Sequence, residues 1–210
     1  MTKVKICGLK TLADVEIVNK YLPEYVGFVF ANTKRFVTDE QAFCMKQALD
    51  KRIQVVGVFV NEPQKHIISL CQKGIIDAVQ LHGDETSEYI EALRQQIQNP
   101  IIRAVRVQNA GQVKKELQQN VDFMLFDTYK KGVYGGSGER FSLSILEESL
   151  KNEENAKPFF VAGGLAPENI KEVLGDVACY CMDVSTGVEI DGNKDEKKVR
   201  EFIERVRGIQ

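Results

Sequence analysis

Apolar, β-branched runs and amphipathic helical stretches alternate along this chain without a break, and that alternation leaves few folds open to it. The strand-like runs are Lys3–Cys7, Tyr25–Phe30, Gln54–Val60, Ala78–Leu81, Ile101–Val107, Phe123–Phe126, Pro158–Ala162 and Tyr180–Val184. The helical stretches are Leu12–Tyr21, Asp39–Leu49, Pro63–Gln72, Ser87–Gln98, Gly111–Gln119, Leu143–Leu150, Pro167–Leu174 and Glu196–Val206. Several carry start signals: Thr38 before Asp39-Glu40, Asn61-Glu62 before Pro63, and Thr86 three residues before Tyr89. Strict strand–helix alternation implies a parallel sheet. Eight units of roughly 25 residues each point to a closed (β/α)8 or TIM barrel, not an open sheet. The glycine-rich dinucleotide fingerprint is missing after the first strand, which argues against the open form. No linker or low-complexity tract interrupts the pattern, so residues 1–210 read as a single barrel domain.

A net charge of -2 gives no reason to expect a nucleic-acid or membrane partner. No apolar run approaches the ~20 residues of a membrane span, and the first strand begins at once without a signal-peptide core, so the expectation is a cytoplasmic chain. The five cysteines are odd in number and not spaced as a disulfide framework. Cys179 and Cys181 lack a second pair or nearby histidines and read as small core residues, not as metal ligands. No strong apolar stripe lies outside the inferred core, which favours a monomer over a homodimer.

In such a barrel the active site lies where strands end and the following loops begin. Residues two apart in a strand share a face. Lys3, Lys5 and Cys7 therefore face away from Val4 and Ile6. A lysine two residues before a thiol favours the thiolate, although position alone also fits a buried structural cysteine. The loop after the second strand, Ala31 to Phe36, is either a solvated surface loop or a carboxylate site built on the Arg35 fork. Gln80 and His82 share a face at the fourth strand end, where His82 fits a structural role as well as a chemical one. Asp127 ends the apolar run Phe123 to Phe126, so partial desolvation is expected to raise its pKa; a cap or ion pair is the other reading. The glycine-rich run from Gly132 to Gly138, including Gly136, reads as a loop able to fold over a ligand.

Two further loops carry Gly163-Gly164 and Ser185-Thr186-Gly187, after the seventh and eighth strands. Glycines permit close backbone approach, and loops at these positions are the usual phosphate site of the architecture. Together they imply a small phosphorylated ligand. Alternation also puts Cys181, Asp183 and Ser185 on one face of the last strand, which adjoins the first in a closed barrel. Lys5 is therefore expected to point inward and pair with Asp183, supporting Cys7.

The motifs KICGL, GFVF followed by KRFV, VQLHG, LFD, GGSG with Phe141, VAGGL with Asn169, and DVSTGVE occur together and in this order. In that combination the chain resembles phosphoribosylanthranilate isomerase, an enzyme family of tryptophan biosynthesis, over essentially its whole length. Departures are Lys10 preceding Thr11, Thr33-Lys34 in the arginine loop, and Thr186 where a second serine is usual. The resemblance implies an Amadori rearrangement of N-(5-phosphoribosyl)anthranilate to 1-(2-carboxyphenylamino)-1-deoxyribulose 5-phosphate, without cofactor or metal. It implies Asp127 as general acid at the ribose ring oxygen and Cys7 as general base at C2. Arg35 would hold the anthranilate carboxylate, and the loops around Gly163, Gly164, Ser185, Thr186 and Gly187 would hold the phosphate. An acidic carboxyl and a basic thiolate invert the ordinary states of both groups at neutral pH. The alternatives are another phosphosugar isomerase or epimerase on the same barrel, or a silent phosphometabolite-binding protein. A metal-dependent epimerase would need histidines at strand ends, and of the two histidines, His66 falls on a helix.

Overall fold

The computed structural model describes residues 1–127, 145–146, 148–149, 157–176 and 178–208. Eight strands close into a parallel barrel in chain order. They are β1 (Lys3–Cys7), β2 (Tyr25–Val29), β3 (Gln54–Phe59), β4 (Ala78–Leu81), β5 (Ile101–Arg106), β6 (Phe123–Asp127), β7 (Phe159–Ala162) and β8 (Cys181–Val184). The barrel closes where β8 pairs with β1, with Lys5 opposite Asp183. The helices are α1 (Leu12–Tyr21), α2 (Asp39–Ala48), α3 (Gln64–Gln72), α4 (Ser87–Arg94), α5 (Ala110–Leu117), α6 (Ile170–Asp176) and α7 (Glu196–Gly208). Just under half of the element ends differ from the sequence reading, by one to four residues, as frayed termini do. The expected helix Leu143–Leu150 lies partly outside the described residues, and the Gly132–Gly138 loop with Gly136 lies wholly outside them.

Strand alternation builds two apolar layers. Val4 and Ile6 join Val15 and Val18 of α1 and Phe202 and Val206 of α7 in the helix–sheet core. The inward set includes Tyr25, Val56, Ile102, Leu125, Phe160 and Cys181. Each large apolar side chain buried this way contributes about 1.5–3 kcal/mol. Tyr25, Phe123, Phe160 and Tyr180 form a ring cluster, with Phe123 and Tyr180 centroids 5.0 Å apart. The Lys3 ammonium lies 4.5 Å over the Tyr180 ring. This cluster occupies the end of the barrel where the strands start.

Local signals set the helix starts. Thr11 and Thr38 cap α1 and α2 in reciprocal boxes with Asp14 and Gln41, and Thr86 accepts from the Tyr89 N–H at 3.3 Å. The expected start of α3 is corrected. Pro63 occupies the cap position without a side-chain bond. Asn61, at positive φ, instead accepts from the Asp84 N–H at 2.8 Å, tying the loop after β3 to the loop after β4. Glu62 bonds His66.

A short antiparallel hairpin, Glu189–Ile190 with Asn193–Lys194, follows β8 and lay outside the sequence reading. Asp191 and Gly192 turn it with φ of 51° and 78°, the pattern of a tight hairpin turn. The Lys194 N–H donates to Asp14 Oδ1 at 3.2 Å, pinning the hairpin to α1.

Candidate active site

A cavity of about 500 Å³ opens at the strand ends. Cys7, Arg35, Gln80, His82, Asp127, Gly163, Gly164, Asp183, Ser185 and Thr186 all line it. Lys5 lies beneath, and Gly187 stands behind the rim: a methyl there would overlap the Leu165 carbonyl, so the loops after β7 and β8 touch at this glycine. Gly163 and Gly164 have φ of 97° and 65°, which a side chain would strain. Ser185 Oγ donates to the Cys7 carbonyl at 3.1 Å, joining the loop after β8 to the end of β1.

The floor is a buried charged pair. Lys5, fully buried, donates to Asp183 Oδ2 at 2.8 Å. Burial alone would push the ammonium down, but Asp183 and Cys7 outweigh it and hold Lys5 above its ordinary value. Asp183 is itself pushed up by burial, with Lys5 opposing. For Cys7 the expected lowering by Lys5 is corrected. Burial pushes the thiol up, and Lys5 and Lys194 reverse only part of that shift. The expectation failed because the sequence shows the neighbouring cation but not the depth of burial.

His82 and Gln80 form a second inward pair. Gln80 Nε2 donates to His82 Nδ1 at 2.9 Å, so Nε2 carries the imidazole proton. Burial pushes His82 below its ordinary value, favouring the neutral ring, with Asp127 opposing. His82 Nε2 lies 3.8 Å from Asp127 Oδ2, longer than a direct hydrogen bond between these two atoms. Gln80 Oε1 and Asp183 Oδ1 are buried acceptors that find no hydrogen-bond partner among the described residues. Arg35 crosses over Gly8, whose φ of 83° and missing side chain make room for it. Its Nε and Nη2 donate to the two carboxylate oxygens of Glu189, at 2.8 and 2.9 Å. Among the described residues, no three His, Cys, Asp or Glu side chains converge as a metal site would require.

Residues 4–205 match the family model described as "N-(5'phosphoribosyl)anthranilate (PRA) isomerase". The chain belongs to the N-(5'-phosphoribosyl)anthranilate isomerase family. It is 48% identical to the enzyme of that name from Lachnoclostridium phytofermentans, covering 96% of this chain and 95% of that one. The Thermoanaerobacter pseudethanolicus enzyme is 43% identical, covering all of both. The crystal structure of phosphoribosyl anthranilate isomerase from Thermotoga maritima superposes with a TM-score of 0.86 at 34% identity, over 99% of this chain and 100% of that one. A structure of the isomerase in complex with reduced 1-(o-carboxyphenylamino)-1-deoxyribulose 5-phosphate superposes at 0.84 with 30% identity, over 99% of this chain and 100% of that one. The activity of this chain is the isomerisation of N-(5'-phosphoribosyl)anthranilate in tryptophan biosynthesis.

Three residues beside this cavity escape the sequence reading. Gly27 pairs with Cys7 across β1 and β2, and a methyl there would lie 2.6 Å from the sulfur. A glycine inside a strand was the available signal. Glu189 ends the DVSTGVE motif, where the sequence alone assigns it no role. Lys194 gave no signal except the Asp191-Gly192 turn that delivers it.

Proposed function

We propose that the isomerisation runs between Asp127 and Cys7. Asp127 donates a proton to the ribose ring oxygen, and the ring opens to an iminium. Cys7 removes the C2 proton, and the resulting enol-amine tautomerises to the ketone. The observation that carries this is the order of groups around the barrel. The acid ends β6, the base ends β1, and the glycine loops follow β7 and β8 between them. Arg35 follows β2, on the other side of β1. A substrate held by its phosphate in the middle and by its carboxylate at Arg35 presents its ring oxygen and C2 to the two catalytic groups. Holding both ends is the proximity contribution to the rate. The backbone around Gly163, Gly164, Ser185, Thr186 and Gly187 takes the phosphate. Gln80 and Asp183 offer their buried acceptors to ribose hydroxyls, and His82 turns its Nε2 edge to the Asp127 side of the cavity. Lys5 supports Cys7 from below.

Cys7 starts as a thiol, because burial raises it. Ring opening places an iminium cation beside it, and a neighbouring positive charge favours the thiolate when the base is needed. Gly136 belongs to the proposed ligand-covering loop outside the described residues. We also propose a cytoplasmic, single-domain monomer. Its five cysteines are all free thiols, as a reducing compartment requires, and sedimentation of the purified chain tests the monomer. Among the described residues no helix is long and apolar enough to cross a membrane.

The deciding experiment follows the loss of anthranilate-type fluorescence during turnover of phosphoribosylanthranilate. Cys7→Ser and Asp127→Asn are each expected to lose on the order of 10³-fold in kcat, the usual range for a positioned acid or base, with melting temperatures near wild type. A kcat within tenfold of wild type in either variant overturns that residue's role.

A further inference from the structure

Arg35 does not meet its ligand alone. Glu189 occupies the guanidinium edge made by Nε and Nη2, with both oxygens engaged. Among the described residues the end of the fork made by Nη1 and Nη2 is left for a second carboxylate, which it matches with two parallel bonds. Two carboxylates around one guanidinium are one negative charge in excess. Lys194 removes that excess. Its Nζ donates to Glu189 Oε1 at 2.8 Å and to the Ser185 carbonyl at 3.1 Å. Its side chain is 1% exposed and that of Glu189 is 8% exposed, against 25% for Arg35. Lys194 and Glu189 are thus the more deeply buried charges, and the more exposed Arg35 lines the cavity.

We propose that Glu189 and Lys194 are positioning residues for carboxylate recognition: Glu189 fixes the plane of Arg35, and Lys194 keeps the cluster one charge positive. This rests on the reading of Arg35 as the anchor of the anthranilate carboxylate. Arg35 and Lys194 minus Glu189 leave a single positive charge for a single carboxylate. Without Lys194, Glu189 would neutralise Arg35 and the fork would have geometry without net attraction. Lys5 and Asp183 cancel each other and add nothing to the sum. Glu189 is kept ionised: burial would raise it, but the bonds from Arg35 and Lys194 bring it below its ordinary value. Lys194 also reaches the loop after β8 through Ser185, so the hairpin joins the two ends of the substrate site.

The test compares the natural substrate with its aniline counterpart, N-(5-phosphoribosyl)aniline, which lacks the carboxylate. Lys194→Met is expected to raise KM for the natural substrate by about tenfold or more, with kcat within about threefold. Its KM for the aniline substrate should stay within about threefold of wild type. Lys194→Gln keeps a donor for the Ser185 carbonyl but no charge, and should behave like Lys194→Met. Lys194→Arg keeps the charge and should restore selectivity. Equal losses on both substrates, or recovery in Lys194→Gln, would make Lys194 a loop support and overturn the proposal. Arg35→Met is run beside them. If it too shows no carboxylate-selective loss, the reading of Arg35 fails. If it shows that loss and the Lys194 variants do not, only the present inference fails.

Discussion

Gly27 faces Cys7 in register across β1 and β2, and the sulfur occupies the space that a side chain at Gly27 would take. A methyl group there would lie 2.6 Å from Sγ and 3.1 Å from the Cys7 Cα, so both the thiol and the strand pair would have to give. Gly27→Ala is expected to lower kcat by on the order of 10²-fold, the cost of about an ångström of misplacement. Overpacking should cost about 1–3 kcal/mol of stability. Turnover beside urea unfolding checks both, and an alanine variant with wild-type kcat would show that the thiol does not need this space.

The direction of the Cys7 shift has its own consequence. The proposed base must be deprotonated, and burial holds its pKa above the ordinary thiol value despite Lys5. The thiolate fraction of the free enzyme therefore grows with pH through and beyond neutrality. kcat/KM, which reports the free enzyme, should climb on a limb centred above about pH 8.5, the ordinary thiol value. A limb centred below that value, or a profile flat from about pH 7 to 10, would mean that the thiol is not the titrating base.

The parts of this site that follow from periodicity were legible in the sequence. Alternation along β1 and β8 placed Lys5 and Asp183 on facing positions, and the ion pair forms there. The glycine loops could be located because strand ends define the mouth of the barrel. What remained hidden depends on three-dimensional neighbours. Gly27 is visibly a strand glycine, but nothing local says that its missing side chain serves Cys7. Lys194 sits in a polar run that resembles any surface turn, and only the folded hairpin buries its ammonium against Glu189. Asn61 reads as a helix cap in the sequence, yet its side-chain Oδ1 accepts from the Asp84 N–H of the next loop, a bond between two strand ends that the sequence keeps 23 residues apart.

The Lys5–Asp183 pair lies in the barrel floor with 0% and 6% of the side chains exposed. Lys5→Met leaves a buried carboxylate without its cation and is expected to destabilise the fold by about 3–5 kcal/mol. Replacing both partners in Lys5→Met/Asp183→Leu removes the orphaned charge and should recover most of that loss. Guanidinium unfolding of the single and double variants measures the difference. A double variant no more stable than Lys5→Met would mean that packing, not charge, dominates at this position.

At Gly187 the loops after β7 and β8 come into contact, because an added methyl would overlap the Leu165 carbonyl. Gly187→Ala should separate the two loops and spoil the backbone cradle proposed for the phosphate. The expected outcome is a rise of about tenfold or more in KM for the phosphorylated substrate. Inorganic phosphate, measured as a competitive inhibitor, should weaken in parallel. An unchanged inhibition constant for phosphate would separate this contact from phosphate binding.

His66 on α3 bonds Asp39 of α2 and Glu62 of the preceding loop, each at 2.8 Å. Burial alone would push the imidazole down, but the two carboxylates outweigh it and raise its pKa above 6.5. A pKa raised by folding stabilises the native state fully below the unfolded value of about 6.5. That stabilisation fades as pH rises through the folded value. His66 also meets Phe30 and Phe59 edge-on, with centroids 5.8 and 6.3 Å away, and those contacts are lost on truncation at any pH. The drop in melting temperature caused by His66→Ala should therefore be larger at about pH 5.5 than at about pH 9, where only the ring packing is lost. An equal drop at both values would mean that the two ion pairs add nothing net beyond the aromatic contacts.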